Sequence, residues 1–406
     1  MKALFICLTD YQMLNALNIK THLLKDKEAD ILFFDNKAGH RQLAQRLQNL
    51  GIFQNVYLHQ YTNVYGLHKY LRAKTDKNRE SIGLLKAFGN SIKELIYKAG
   101  VKILGKKYKI NAKLYGDKKI NFGEYSQVFG IVTKDVVKDT MQLILEKNPN
   151  TEINFIEDGT FTYWRRSIKT DLPLDNIFLY QPELANYYNE GYQNKIKQIP
   201  AIDWQDEAFR KVLNEVFAFT NSNADYSDKV IFFDQNWDPM PEYLKNLTGV
   251  KKIILRNPYK KHLKESQKYN KKMELFRILA DNFAGIKDVI VKLHPRSSDS
   301  FVQDYQQSVC KIAENLKVPW EVFEDNYTFK NNIWVTVSST ALCSLLMAFK
   351  NKHDNVKLVF LYKLVYEDGA KYKEDNEFFE RFRDRYEGKV YIPNNIDEYM
   401  KYIKNN

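Results

Sequence analysis

The stretch Val289-Ile-Val-Lys-Leu-His-Pro-Arg296 decides how the rest of the chain reads. Val289 to Leu293 is a short, largely aliphatic run of strand character, and it delivers His294 to its C-terminal end. Pro295 then fixes the turn, because its ring locks φ. In open α/β sheets, ligands sit just outside that end of the strands. The same design recurs in Val335-Thr-Val-Ser-Ser-Thr340, where Ser338, Ser339 and Thr340 occupy a strand-to-helix junction. It occurs earlier in Asn154-Phe-Ile-Glu-Asp-Gly159, which sets Glu157, Asp158 and Gly159 after another apolar run. An acid pair, a histidine and a hydroxyl cluster, each at a strand end, predict one polar cleft assembled from distant segments.

Working outward, short apolar runs alternate with helical patterns. Ala3 to Leu8, Asp30 to Phe34, Asn55 to Leu58, Tyr125 to Val132 and Glu152 to Ile156 read as strands. Tyr11 to Lys25, Arg41 to Leu50 and Lys134 to Lys147 read as helices between them, with Asp10 at the N-cap position of the first. A Tyr- and Asn-rich zone from about Leu174 to Ile202 reads as irregular, and a helix spans about Trp204 to Phe219. Asn221 to Asp228 is the best linker. The pattern then restarts. Val230 to Phe233, Lys251 to Leu255, Val289 to Leu293, Trp320 to Phe323, Asn332 to Val337 and Lys357 to Leu361 read as strands. Asn270 to Phe283, Tyr305 to Leu316, Ala341 to Phe349 and Ile396 to Ile403 read as helices. Such alternation predicts an α/β protein with parallel sheets and crossover helices. The expected division is a first α/β domain over 1–220, a second α/β domain over 221–395 and a closing helix over 396–406.

A chain of 406 residues exceeds one ordinary core, and 44% hydrophobic content is globular. No run approaches the roughly 20 apolar residues of a membrane span, and the N-terminus reads as a first strand instead of a signal peptide. Cys7, Cys310 and Cys343 lie far apart in apolar segments, which suits buried thiols in a reducing compartment, and the expected location is cytoplasmic. The formal net charge of +12 admits nucleic acid, an anionic membrane or an acidic substrate as partners. Part of it lies between Ile82 and Lys119, where Leu85, Phe88, Ile92, Leu95, Ile96, Ala99 and Ile103 recur at helical spacing among lysines. A basic amphipathic helix of this kind either packs on its own core or lies on an anionic membrane surface.

Each motif has an ordinary reading beside the chemical one. A histidine flanked by Lys292 and Arg296 at a strand end is suited to acid catalysis, since an ordinary imidazole titrates near neutral pH. Ser338-Ser339-Thr340 supplies more hydroxyls than one helix cap needs, and helix starts attract anions. Asp-Gly alone is a common turn pair, yet two adjacent acids at a sheet edge offer a general base, with Asp158 first and Asp234 in reserve. Arg256, Lys260, Lys261 and His262 read as a basic loop. The chain lacks an Asp-x-Asp pair, a P-loop, a dinucleotide Gly-x-Gly-x-x-Gly and any zinc-type His/Cys spacing. A metal-independent transferase passes this sieve.

The ordered set of acidic-acidic-Gly, His-Pro and Ser-Ser/Thr resembles that of the bacterial sialyltransferases. The opening Lys2-Ala-Leu-Phe-Ile-Cys-Leu-Thr-Asp-Tyr-Gln-Met-Leu-Asn-Ala-Leu17 looks most like glycosyltransferase family fifty-two, which includes lipooligosaccharide and capsule sialyltransferases. The resemblance runs from Met1 to about Phe360 and includes Pro319-Trp-Glu321 between the second and third motifs. It implies a GT-B-like pair of Rossmann-type doubly wound domains facing a central cleft, with CMP-sialic acid held mainly by the C-terminal one. It further implies that His294 is the acid on the departing CMP phosphate, that Ser338 and Ser339 bind that phosphate, and that Glu321 binds the ribose. Asp158 would deprotonate a galactose hydroxyl of a capsular or lipid-linked glycan, giving inversion without a metal or cofactor. Lipooligosaccharide members can carry an N-terminal membrane anchor, so the basic segment 82–119 is the expected peripheral membrane contact here. Related members transfer other sugars, such as glucose.

Two other readings stay open. One is a transferase of the same fold using another donor such as UDP-glucose. The other is a non-catalytic binder of polyanions or glycans, although recognised nucleic-acid motifs are absent. A homodimer is compatible with either.

Overall fold

The computed structural model describes residues 2–34, 39–59, 113–114, 120–220, 224–237, 239, 256–294, 304–305, 311–312, 318–350, 355–366 and 370–406. Two sheets organise them. The first carries β1 (Lys2–Cys7), β2 (Ala29–Phe34), β3 (Asn55–His59), β4 (Lys113–Leu114), β5 (Tyr125–Gly130), β6 (Glu152–Ile156), β7 (Leu174–Leu179) and β8 (Ile196–Gln198). Its order is β4-β3-β2-β1-β5-β6-β7-β8, and β4, antiparallel to β3, is the exception to an otherwise parallel sheet. The second sheet carries β9 (Val230–Phe233), β10 (Val289–Lys292), β11 (Lys311–Ile312), β12 (Ile333–Thr336), β13 (Lys357–Phe360) and β14 (Val390–Tyr391). Its order is β11-β10-β9-β12-β13-β14, parallel throughout.

Parallel strands covered on both faces need near-continuous apolar runs, and this explains sequences such as Val-Ile-Phe-Phe in β9. All four of those residues are buried, as are all six of β2. In each sheet the chain builds outward from the first strand, then returns to build on its other side. The order therefore reverses between β1 and β5, and again between β9 and β12. A crevice opens at such a reversal, outside the C-terminal ends of the strands. The architecture is α/β, two doubly wound halves, each built on its own sheet.

The halves share one apolar core, which runs from β1 to the helix Ala370–Arg385. That helix follows β13 in sequence but packs on the first half: the Phe378 ring lies 5.3 Å from that of Tyr163. Arg165 grips Glu377 through two hydrogen bonds of 2.9 and 3.2 Å, and Arg166 pairs with Glu374 at 2.8 Å. Ile202 exchanges backbone hydrogen bonds with Ala348 and Lys350 of the other half, at 2.7 and 3.0 Å. The C-terminal helix Ile396–Lys404 closes on the helix Arg256–Phe283, where Tyr399 donates to the carbonyl of Leu275.

Several expectations from sequence are corrected. Trp320 to Phe323 is the start of a helix, Trp320–Asn326, so Glu321 sits in a first helical turn and not in a strand. The aromatic run mimics a strand, but Pro319 immediately before it opens the helix. The zone from Leu174 to Ile202 contains β7 and β8, which complete the first sheet. Arg256, Lys260, Lys261 and His262 belong to a 28-residue helix, not a loop. Lys311–Ile312 pairs with β10 inside the span expected to be helical. The first helix, Asp10–His22, is capped by Thr9, whose hydroxyl accepts from the Gln12 N–H, and Asp10 is its first residue. Lys251 to Leu255 and nearly all of the basic segment 82–119 lie outside the described residues, as does Cys310. Cys7 and Cys343 are buried free thiols. No helix among the described residues is long and apolar enough to cross a membrane.

Candidate active site

Strand register brings the predicted motifs to one place. Lys292 of β10 pairs with Phe233 of β9, which pairs with Thr336 of β12. His294 and Ser338 each follow by two residues, so both stand at the same C-terminal edge, about 10 Å apart as strand positions. Glu157, Asp158 and Gly159 follow β6 at the C-terminal edge of the first sheet. The two edges meet. Thr340, first residue of the helix Thr340–Met347, packs on Gly159, and its hydroxyl lies 3.4 Å from both the N–H and the hydroxyl of Thr160. Gly159 has φ +81° and ψ −162°, a backbone state that suits glycine and few other residues. The acid motif and the hydroxyl motif thus lie in contact across the two halves.

Asp158 is half-buried at this junction. Its backbone N–H donates to the Thr162 hydroxyl at 3.0 Å, which holds the turn, and its Oδ1 accepts from the Thr9 hydroxyl at 3.4 Å. Thr9 follows β1, the first strand at the sheet reversal, so the N-cap of the first helix also orients this carboxylate.

Glu157 points the other way. It is 1% exposed, and its carboxylate is enclosed by the Tyr11 hydroxyl at 2.9 Å, the Tyr163 hydroxyl at 2.5 Å and the Tyr180 N–H at 2.9 Å. Asn15 donates to its backbone carbonyl at 2.9 Å. Burial pushes the Glu157 carboxyl up to about 7, against the downward pull of those three donors. Of the adjacent acids, one is half-buried at the junction of the two halves and the other ties three segments together from inside.

Ser338 shares a hydrogen bond with the Tyr366 hydroxyl. Ser339 is the N-cap residue of the helix Thr340–Met347, yet its side chain makes no capping bond; its N–H donates to the Thr336 hydroxyl at 3.1 Å. A row of hydroxyls at a helix start is suited to an anion. Glu321 is 5% exposed, close to Ser344, Lys292 and Asp10, and its carboxyl is raised, chiefly by burial. Asp234 lies at the end of β9 and is committed to a buried ion pair with Lys272 at 2.5 Å, with the Tyr305 hydroxyl on the same oxygen. Its N–H donates to the Lys292 carbonyl at 2.9 Å. Pro295 and Arg296 lie outside the described residues. Among the described residues, no three metal-binding side chains converge.

Sequence reasoning passed over Thr9, Tyr11, Tyr163 and Tyr366. For Thr9 the signal was present, a hydroxyl residue directly before a helical run, but Asp10 competed for the cap. The tyrosines carry no local signal, because only the fold brings their hydroxyls to acid or serine.

No protein-family model matches the chain, and no curated protein does. Solved structures with a similar course include an α/β-galactoside α-2,3-sialyltransferase from the luminous marine bacterium Photobacterium phosphoreum. It is 11% identical, with 96% of this chain and 98% of that one covered at a TM-score of 0.46. CalG4, the calicheamicin glycosyltransferase, is 10% identical, with 100% and 88% covered at a TM-score of 0.44. MurG of Acinetobacter baumannii is 7% identical, with 100% and 89% covered at 0.36. Likenesses at this level assign no residue, donor or acceptor.

Proposed function

We propose that the chain is a glycosyltransferase that moves a sugar from a nucleotide donor to an acceptor hydroxyl in a single inverting displacement. The observation that carries this is the contact between Gly159 and Thr340. It joins an acid motif from one half to a hydroxyl motif from the other, at the sheet edge that also bears His294. In this reading Asp158 takes the proton from the acceptor hydroxyl, and His294 supplies one to the departing nucleotide phosphate. Ser338 and Ser339, with the start of the helix Thr340–Met347, hold that phosphate. Buildup of charge on the leaving group is met by fixed dipoles and by a proton, so no divalent ion is needed.

The donor we favour is CMP-sialic acid, on the resemblance of the three motifs to the bacterial sialyltransferases. The acceptor we favour is a terminal galactose on a capsular or lipid-linked glycan, with the basic segment 82–119 touching the membrane surface. Glu321 would bind the ribose, on the same resemblance.

The test is hydrolysis of CMP-sialic acid by purified protein in chelator without acceptor, comparing wild type with His294→Ala and Asp158→Ala. Release of CMP that requires His294 supports the donor and the acid together. No hydrolysis, with thermal stabilisation by UDP and not by CMP, transfers the same cleft to a different donor. Steep loss of polyanion binding with salt, and no turnover of either donor, would favour a non-catalytic binder.

A further inference from the structure

Lys268 and Lys272 stand one turn apart on the helix Arg256–Phe283, so their side chains share one face. Their surroundings differ. Lys272 is fully buried and spent on Asp234 and on the Gln235 carbonyl, at 2.5 and 3.0 Å. Lys268 is half-buried, and among the described residues it forms no ion pair and no hydrogen bond. Its ammonium lies 5.0 Å from the ring centre of Tyr366 and 5.9 Å from that of Trp237. Those two rings meet edge to face at 6.0 Å.

The origin of the rings matters. Trp237 follows β9 and Tyr366 follows β13, the strands on either side of β12. The aromatic pair therefore straddles the strand that delivers Ser338, and the Tyr366 hydroxyl bonds to the Ser338 hydroxyl. A ring attracts an ammonium through its quadrupole, but it supplies no counter-charge. The rings consequently locate a positive charge without neutralising it, beside hydroxyls and a helix start that also favour an anion. An ordinary surface lysine would extend into water or toward a carboxylate; this one is held above the reversal point of the second sheet.

We propose that Lys268 is an anion-binding residue of the donor site, pairing with an oxyanion group of the bound nucleotide sugar. Two sources share that chemistry: the nucleotide phosphate and a carboxylate on the sugar. The inference rests on reading the cleft as a nucleotide-sugar site.

The experiment measures binding of CMP, UMP, cytidine and CMP-sialic acid by calorimetry to wild type, Lys268→Gln and Lys268→Arg. Loss of a charge-assisted contact should weaken CMP or UMP by roughly tenfold to a hundredfold in Lys268→Gln. Cytidine should bind alike to all three proteins, and Lys268→Arg should stay within a few fold of wild type. Weakening of CMP assigns the phosphate; weakening confined to CMP-sialic acid assigns the carboxylate. Unchanged binding of every probe in Lys268→Gln overturns the role of Lys268 and leaves the donor site standing. Wild type that binds none of the four overturns the nucleotide-sugar reading itself.

Discussion

Thr340 occupies the space that a side chain on Gly159 would need: a Cβ there would lie 2.5 Å from Thr340 Cγ2 and 2.8 Å from its Oγ1. This single contact joins the edges of two sheets. Its φ of +81° adds a backbone demand to the steric one. Gly159→Ala should therefore lower stability by about 1–3 kcal/mol from backbone strain alone and push Thr340 away from the acid motif. Thermal melts and donor hydrolysis would both fall. Adding Thr340→Ser removes Cγ2 and should recover part of the hydrolysis but little of the backbone cost. A Gly159→Ala variant with unchanged melting and turnover would refute the contact.

Glu157 gives a pH prediction. Its carboxyl titrates near 7 in the folded protein against an ordinary 4.5, because burial disfavours the anion. A raised folded value means that the stabilisation is fully present below pH 4.5 and is lost as pH rises through about 7. The full span corresponds to about 3 kcal/mol. Gln at this position stays neutral and still accepts from Tyr163 and the Tyr180 N–H. The melting temperature of Glu157→Gln relative to wild type should accordingly rise from pH 5 to pH 8. A difference that does not vary with pH would show that Glu157 is not the titrating group. Glu157→Ala, which strands three donors, should be destabilised at every pH.

Thr9 serves two structures with one hydroxyl, accepting from Gln12 and donating to Asp158. Thr9→Val should cost about 1 kcal/mol through the lost cap. It should also lower turnover with little change in donor affinity, since it frees the Asp158 carboxylate to misorient. Thr9→Ser should restore both. Equal loss of turnover in the Ser and Val variants would refute the orienting role.

Much of the fold was legible because strands buried on both faces leave continuous apolar runs. β1, β2, β9 and β12 all stand out in this way. β7 did not, since in Leu174-Asp-Asn-Ile-Phe-Leu179 the polar pair Asp175-Asn176 interrupts the apolar run after its first residue. The helix Trp320–Asn326 was hidden by its aromatic residues, which favour strands locally but here stack in a shared core, Trp320 on Phe323 at 4.9 Å. In the helix Arg256–Phe283, Pro258 in the first turn was a start signal outweighed by the charges around it. The site was legible as motifs and not as geometry. Nothing local to Thr160 and Thr340, 180 residues apart, announces that they touch. Nor could the sequence separate the inward Glu157 from the outward Asp158, because both follow the same strand and only the tyrosines around one of them decide.

The choice between Asp158 and Asp234 as the proton acceptor is a matter of stability as much as of turnover. Asp234 and Lys272 have no exposed side-chain surface, and their pairing at 2.5 Å is reinforced by Tyr305. Two opposite charges buried together are tolerable, whereas one left alone is not. Removing either partner from such a pair costs about 3–5 kcal/mol, while replacing both by neutral residues costs much less. Asp234→Asn and Lys272→Met should each lower the melting temperature markedly, and the double variant should recover much of that loss. Asp158, half-buried at the junction of the two halves, should behave in the opposite manner, with Asp158→Asn melting close to wild type while transfer to acceptor collapses. Paired melts and transfer assays on these four variants decide the matter. If Asp234→Asn folds as well as wild type and abolishes transfer, while Asp158→Asn retains it, the base is Asp234.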